Sequence, residues 1–243
     1  MVIAIANQKG GQGKTTTAQA IANGSPGKIL AVDLDPQSNL TFSMGGNAAD
    51  VGAYELITGK TTAKQTIQKT AQGDIIAASN SLALADTTFT GKERTTALKS
   101  ALQPVKSLYK HIVIDCPPTL NSLLVNALVA ADVVIIPLTA DMYSLQGLYQ
   151  LKQSIDAAKS INSGLNIGGV LFVKHSTRTI LARDLSDVIK DKCAELSIPV
   201  YKTAIREGVA IREAQTQRQS IFDYAPRSNP AKDYKQLIKE IGL

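Results

Sequence analysis

The 243-residue chain has no tryptophan, two cysteines, two histidines and only 5% aromatic residues. Two cysteines cannot build a disulfide framework. Cys116, Cys193, His111 and His175 also lack the close spacing of a zinc site. No apolar run approaches the roughly 20 residues needed to cross a bilayer. The opening stretch MVIAIANQKGG lacks the basic start, longer apolar core and cleavage site of a secretory leader. These absences exclude a disulfide scaffold and a membrane-spanning chain, and the expectation is a soluble, cytoplasmic protein.

What is present is ordinary for a globular fold: 44% hydrophobic and 19% charged residues. The length suits a single large α/β domain over residues 1–243. Formal net charge is +6, and residues 174–243 hold 13 Lys+Arg against 9 Asp+Glu, so +4 of it lies in the last third. That excess fits either a nucleic-acid partner or a soluble, charged surface.

Val2 to Ala6 is a short apolar run feeding glycines, which reads as a buried parallel strand entering a loop. Helical composition follows from Thr15 to Ala22 and ends at Gly24-Ser25-Pro26-Gly27. KILAVDLD, DIIAAS (74–79), HIVIDCPP (111–118), DVVIIPL (132–138), IGGVLFV (167–173) and IPVYKTAI (198–205) repeat the strand type. Between them, Leu145, Leu148, Leu151 and Ile155 recur at helical spacing, as do Leu181, Leu185, Val188 and Leu196. Cys193 falls with Ile189 and Leu196 on the apolar side of the second helix, as a small core residue. Alternating strands and helices predict a mostly parallel, twisted sheet with helices on both faces, the α/β P-loop NTPase arrangement. Its ligand site would lie beyond the carboxyl ends of the strands. The threonine-rich stretch 45–96 is less regular and reads as a peripheral subregion.

Three motifs fall at those strand ends. ANQKGGQGKTTT departs from the ordinary G-x-x-x-x-G-K-[ST] loop, because Gln8 stands where its first glycine belongs and a second lysine, Lys9, precedes Gly10 and Gly11. Gly13, Lys14 and Thr15 complete the pattern: backbone N–H groups cradle phosphates, Lys14 bridges the β- and γ-phosphates, and the Thr15 hydroxyl ligates Mg²⁺. VDLDPQSN places Asp33 and Asp35 two apart at a strand end. This is an Asx-type turn before a helix or a carboxylate that orients an attacking water. HIVIDCPP ends a strand in Asp115, the Walker B arrangement that reaches Mg²⁺ through water, followed by a rigid Pro117-Pro118 turn beside the γ-phosphate.

Together with PLTADMYSLQGL (137–148) and YAPRSNPAKDY (224–234), these motifs resemble the deviant Walker A ATPases of the ParA/MinD group, most of all short, Soj-like partition ParA proteins. The resemblance runs in order from Val2 to about residue 240. It implies ATP and Mg²⁺ as cofactors and an ATP-dependent homodimer in which Lys14 serves its own nucleotide while Lys9 reaches the partner's. It further implies sequence-independent DNA binding, hydrolysis raised by a ParB-type partner, and a cytoplasmic, nucleoid-associated protein. By the same kinship the catalytic set is Lys9, Lys14 and Asp35, and the metal set Thr15, Asp33 and Asp115. Nucleotide contacts are Lys9, Gly10, Gly11, Gln12, Gly13, Lys14, Thr15 and Thr16, with Lys174, Ile205, Arg206 and Glu207 framing adenine. Gln12, in place of a common valine, is expected to matter little. AIREGVAIREAQ departs from the family's I-P-R-N-V-R, which leaves the base contacts open. Arg206, Arg212, Arg218, Lys232 and Lys235 are the DNA candidates, each equally readable as a solvated surface side chain.

Rivals lack their own marks. A MinD-like membrane ATPase needs a cationic amphipathic helix after the fold, and AKDYKQLIKEIGL stops where the last helix should, so no membrane partner is expected. No [NT]-K-x-D follows Val173, which favours ATP over GTP. The cysteine pair of an iron–sulfur ATPase and a tyrosine-rich tail are both missing. Plasmid, chromosome, mobile-element and protein-cluster cargoes stay open.

Overall fold

Val2-Ile3-Ala4-Ile5 offers no polar side chain to either side, so the segment is stable only where both faces are covered, and it is buried throughout as β1 (Val2–Ile5). The computed structural model describes all residues except 50, 89–94, 142 and 177–179, and only the backbone of 180–182. The other strands are β2 (Ile29–Asp33), β3 (Ile67–Thr70), β4 (Gly73–Ile76), β5 (His111–Asp115), β6 (Val133–Leu138), β7 (Asn166–His175) and β8 (Ile205–Arg206). They form one sheet in the order β3-β4-β2-β5-β1-β6-β7-β8. Every pairing in it is parallel except β3 with β4.

Successive residues of a strand face opposite sides, and the two cores divide accordingly. Ala4, Val32, Ile114, Val134 and Val170 pack on one side. There they meet α3 (Ala53–Ile57), the neighbouring turn α4 (Ala63–Thr66), α5 (Ala85–Thr88), α6 (Ala97–Lys106), α7 (Ser122–Ala130), α8 (Ser144–Lys159) and α9 (Ile180–Glu195). Ile3, Ile5, Ala31, Val113, Ile135 and Leu171 pack on the other side against α1 (Lys14–Gly24), α2 (Asn39–Ser43) and α12 (Asn229–Glu240). Between β8 and α12 lie α10 (Val209–Thr216) and α11 (Ile221–Tyr224). Helices on both faces of a mostly parallel sheet make this the α/β P-loop NTPase fold.

Three local expectations need correction. IPVYKTAI is not a strand over 198–205: Val200 makes an isolated bridge to Val170, and pairing resumes only at Ile205. The Glu240 carboxylate of α12 accepts the N–H groups of Lys202 (2.7 Å) and Thr203 (2.9 Å), so those donors are lost to the sheet. Within the stretch 45–96, β3 and β4 form an antiparallel hairpin across a turn closed by Gly73 at φ +117°, so these residues are more regular than the composition indicates. In α9, Ile189, Cys193 and Leu196 pack on the core as expected, but Val188, expected on the apolar stripe, is exposed; the side chain of Leu181 lies outside the described residues.

Candidate nucleotide site at the carboxyl edge of the sheet

β1 ends at Ile5 beside Asp115, and Asp115 is in register with Asp33 of β2. The loop leaving β1 is therefore delivered next to two carboxylates. Asn7 fixes its start, donating from Nδ2 to the Pro137 carbonyl (2.7 Å) and accepting the Lys9 N–H at Oδ1 (2.9 Å). Gly11 and Gly13 both sit at φ +72°, a left-handed backbone that only glycine adopts without strain. A β-carbon at Gly13 would come only into ordinary contact with Val173, at 3.4 Å, so the backbone conformation and not space asks for glycine there. From Gly13 the chain enters α1 with no acidic residue in its first turn, leaving free N–H groups and a positive helix end toward the loop.

Lys14 is buried, and its ammonium donates to the Lys9 carbonyl (3.3 Å). Burial lowers its pKa, and the charges of Asp115 and Asp35 oppose that loss. Asp115 is 0% exposed, and neither of its carboxylate oxygens meets a hydrogen-bond donor in good geometry. Burial and the Asp33 charge hold its pKa well above the carboxylate range, while Thr15 and Lys14 pull it down. Two orphaned oxygens beside a threonine hydroxyl and a lysine suit a hydrated divalent cation. Among the described residues no group of three His, Cys, Asp or Glu could chelate a metal alone, so phosphates and water would complete its shell.

Asp33 is equally buried, yet both of its oxygens are engaged. Its Oδ1 accepts the Asp35 N–H (3.0 Å), and its Oδ2 accepts the Thr41 N–H (2.8 Å) and hydroxyl (2.8 Å). Burial raises its pKa to about 6 against those hydrogen bonds. Asp35 closes the next turn, its Oδ1 accepting the Gln37 N–H (3.0 Å).

Beyond these groups opens a cavity of about 690 Å³. Gly10, Gly11, Gln12, Gly13, Lys14, Thr15, Thr16, Asp35, Lys174, Ile205, Arg206 and Glu207 all line it, as does Pro118 of the proline turn. Lys174 holds φ +50° where the β7–β8 register shifts. Lys9 is not part of this wall. Its ammonium lies 2.8 Å from Asp141 Oδ2 and 5.7 Å from the Tyr143 ring centroid. Burial works against the Asp141 carboxylate, but hydrogen bonds from Lys9 and Thr139 outweigh it and bring its pKa down to about 2. Thr139 donates to Asp141 (2.6 Å) and is itself fixed by Gln12, whose Oε1 accepts the Thr139 N–H at 2.6 Å. Gln12 is 3% exposed, so the expectation that it matters little is replaced by a structural role.

A family model described as an AAA domain matches residues 1–167. The chain is 38% identical to the sporulation initiation inhibitor protein Soj of Bacillus subtilis (strain 168), over 99% of this chain and 98% of that protein. It is 35% identical to the chromosome-partitioning ATPase Soj of Treponema pallidum (strain Nichols), over 97% and 94% respectively. The chain belongs to the ParA/Soj family of partition ATPases. Among solved structures, cobyrinic acid a,c-diamide synthase from Mycobacterium smegmatis with bound ADP and magnesium has TM-score 0.85 and 30% identity, covering 98% of this chain and 92% of that one.

In this ParA/Soj member the basic residues singled out for DNA are scattered. Arg206 is clamped by Asp233 through two hydrogen bonds (2.9 and 2.6 Å), and Arg218 lies over the Phe42 ring at 4.4 Å. Lys235 lies 5.8 Å from the Phe222 ring centroid, Lys232 is exposed, and Arg212 lines the nucleotide cavity. Sequence reasoning missed Thr41, Thr139, Asp141 and the cavity face of α10, where Gln215 donates to the Thr16 hydroxyl (3.3 Å). Only the helical spacing of Gly208, Ile211, Arg212, Gln215 and Thr216 offered a signal for that face, and no motif marks it.

Proposed function

We propose that this partition ATPase binds Mg-ATP, pairs with a second copy around two nucleotides, grips DNA without reading its sequence, and releases it on hydrolysis accelerated by a ParB-type partner. The observation that carries this reading is the division between the two loop lysines: Lys14 is buried in the wall of its own cavity, whereas Lys9 is held outside it by Asp141. A cation aimed away from its own nucleotide is suited to another subunit's phosphates, much as an arginine finger acts in trans.

Phosphoryl transfer asks a protein mainly for positioning and charge stabilisation. The glycine loop and Lys14 would hold the phosphates, while Thr15 and Asp115 would hold the metal. Magnesium, when bound, would neutralise phosphate charge. Asp35, which lines the same cavity, would orient the water. Pro118 lines the same cavity, so the proline turn would feel the presence or loss of the γ-phosphate. Lys174 and Ile205–Glu207 frame the base. Exposed cations such as Lys232 would contact DNA phosphates, giving affinity that falls steeply with salt. The DNA served is that of a plasmid, chromosome or mobile element. Among the described residues no helix is long and apolar enough to cross a membrane.

Size-exclusion chromatography with light scattering, on wild type and Asp35→Ala with ATP or ADP, tests the reading. The hydrolysis-blocked variant should run as a dimer with ATP alone and retain DNA in that state. A monomer under those conditions would end the proposal.

A further inference from the structure

Asp33 and Asp115 are register neighbours with opposite surroundings. Both are fully buried, but Asp115 has two oxygens without donors while Asp33 has three donors on two oxygens. One of those donors has a fixed direction. The Thr41 hydroxyl lies 2.9 Å from the Ala78 N–H, which can only donate, so the hydroxyl accepts there and gives its own proton to Asp33. Thr41 is 1% exposed, so water does not compete for either bond. On its other oxygen Asp33 accepts the Asp35 N–H, and Asp35 in turn accepts from Gln37. An unbroken buried path thus runs from the end of β4 through Thr41 and Asp33 to the Asp35 turn.

We propose that Asp33 and Thr41 are a positioning pair that aims Asp35 at the attacking water, and that Asp33 serves in this way instead of ligating the metal. The proposal deepens the ATPase reading above and rests on it. A carboxylate with both oxygens committed to the protein presents little to a cation, whereas its neighbour Asp115 presents everything. The Thr41 N–H comes from α2, the helix that follows the Asp35 turn, so the pair ties that helix to the sheet. Releasing Thr41 would leave Asp35 in place in sequence but free in direction.

The test uses the full chain carrying Asp33→Asn, Thr41→Val or Thr41→Ser. The Asn side chain keeps one acceptor but cannot receive both Asp35 and Thr41. Turnover in Asp33→Asn should fall about 10- to 100-fold, the scale of a misplaced catalytic group. The Mg²⁺ concentration for half-maximal rate should move by less than about twofold. A rise of about tenfold or more in that Mg²⁺ requirement would identify a ligand and overturn the proposal. Thr41→Val should act in the same direction, and Thr41→Ser should restore most of the rate. Added to Asp35→Ala, Thr41→Val should cause no further loss, since a positioning residue has nothing left to position. Full additivity, or wild-type turnover in Thr41→Val, refutes the pair. If Thr41→Val does not fold, Asp33→Asn and Thr41→Ser still decide. Amide hydrogen exchange of Asp35 needs no turnover, so it separates failure of this pair from failure of the ATPase reading: exchange should quicken in Asp33→Asn, and unchanged protection rejects the pair.

Discussion

Lys9 and Asp141, 132 residues apart in the chain, meet at 2.8 Å on the rim of the nucleotide cavity. The side chains are 40% and 33% exposed, so solvent screens the pair and its own worth is about 1 kcal/mol or less. A latch of that size can be opened by a competing phosphate.

Removing the latch while keeping the lysine should ease pairing. Asp141→Asn is expected to lower the protein concentration needed for an ATP-bound dimer by at most about 30-fold, because each of the two subunits gives up a latch worth about 1 kcal/mol. Lys9→Ala should keep ATP binding and stay monomeric. Light scattering across a dilution series reads both, and an Asp141→Asn protein that no longer dimerises would show that the carboxylate serves the dimer and does not restrain it.

Gln12 is the second support of the same device. Its Oε1 accepts the Thr139 N–H (2.6 Å), while the Thr139 hydroxyl, 2.9 Å from the same oxygen, gives its single proton to Asp141. Gln12→Val would strand the half-buried Thr139 N–H, at about 1–3 kcal/mol as the upper range for an unpaired polar group. For a chain of this size that is a fall in Tm of roughly 2–10 °C. Calorimetry checks it, and an unchanged Tm would mean that Thr139 finds other partners.

His111 supplies a pH dependence. It begins β5, is buried, and neither ring nitrogen has a hydrogen-bond partner. Burial lowers its pKa, and the nearby N-terminal amine and Lys110 lower it further. The unfolded chain therefore takes up a proton first, below a pH of about 6.5. Stability contributed by the neutral ring is complete above that pH and is lost as pH falls toward the lower folded value. His175 shifts in the same direction. Melting curves of wild type and His111→Val should therefore diverge as pH drops from 8 to about 5.5, with the variant losing less. Parallel curves would contradict the buried, neutral assignment.

The chemistry at strand ends was legible because it is local. Glycines, Lys14 and Thr15 follow one strand, Asp35 another and Asp115 a third, and each announces itself within a few residues. Asp141 and Thr41 were not, since their meaning lies in partners brought by the fold: Lys9 from the first loop and Asp33 from β2. Strand boundaries failed for related reasons. Ile67–Thr70 is a half-exposed edge strand with too little hydrophobic content to stand out from its threonine-rich surroundings. Residues 198–204 look like a strand, but α12 competes for their backbone donors through Glu240.

Arg212 and Lys232 should separate nucleotide from DNA. Gly208, Ile211, Arg212, Gln215 and Thr216 recur at helical spacing along α10 and all face the cavity. Gln215 touches Thr16 in the first turn of α1, and Gly208 follows the Ile205–Glu207 segment, so Arg212 stands between the phosphate end and the base end. A cation there would meet the part of the nucleotide that ATP and ADP share. Arg212→Ala should weaken both nucleotides about equally, by roughly fivefold for one hydrogen bond of about 1 kcal/mol, with turnover at saturation kept. Lys232 is exposed on α12 and does not line the cavity. Lys232→Ala should leave nucleotide affinity unchanged, weaken DNA evenly across sequences and reduce the salt slope by about 1. Fluorescent-nucleotide titration and DNA binding over a salt series measure the two effects. Should Arg212→Ala lower the salt slope and spare nucleotide affinity, the arginine belongs to the DNA surface and α10 carries the DNA across the mouth of the cavity.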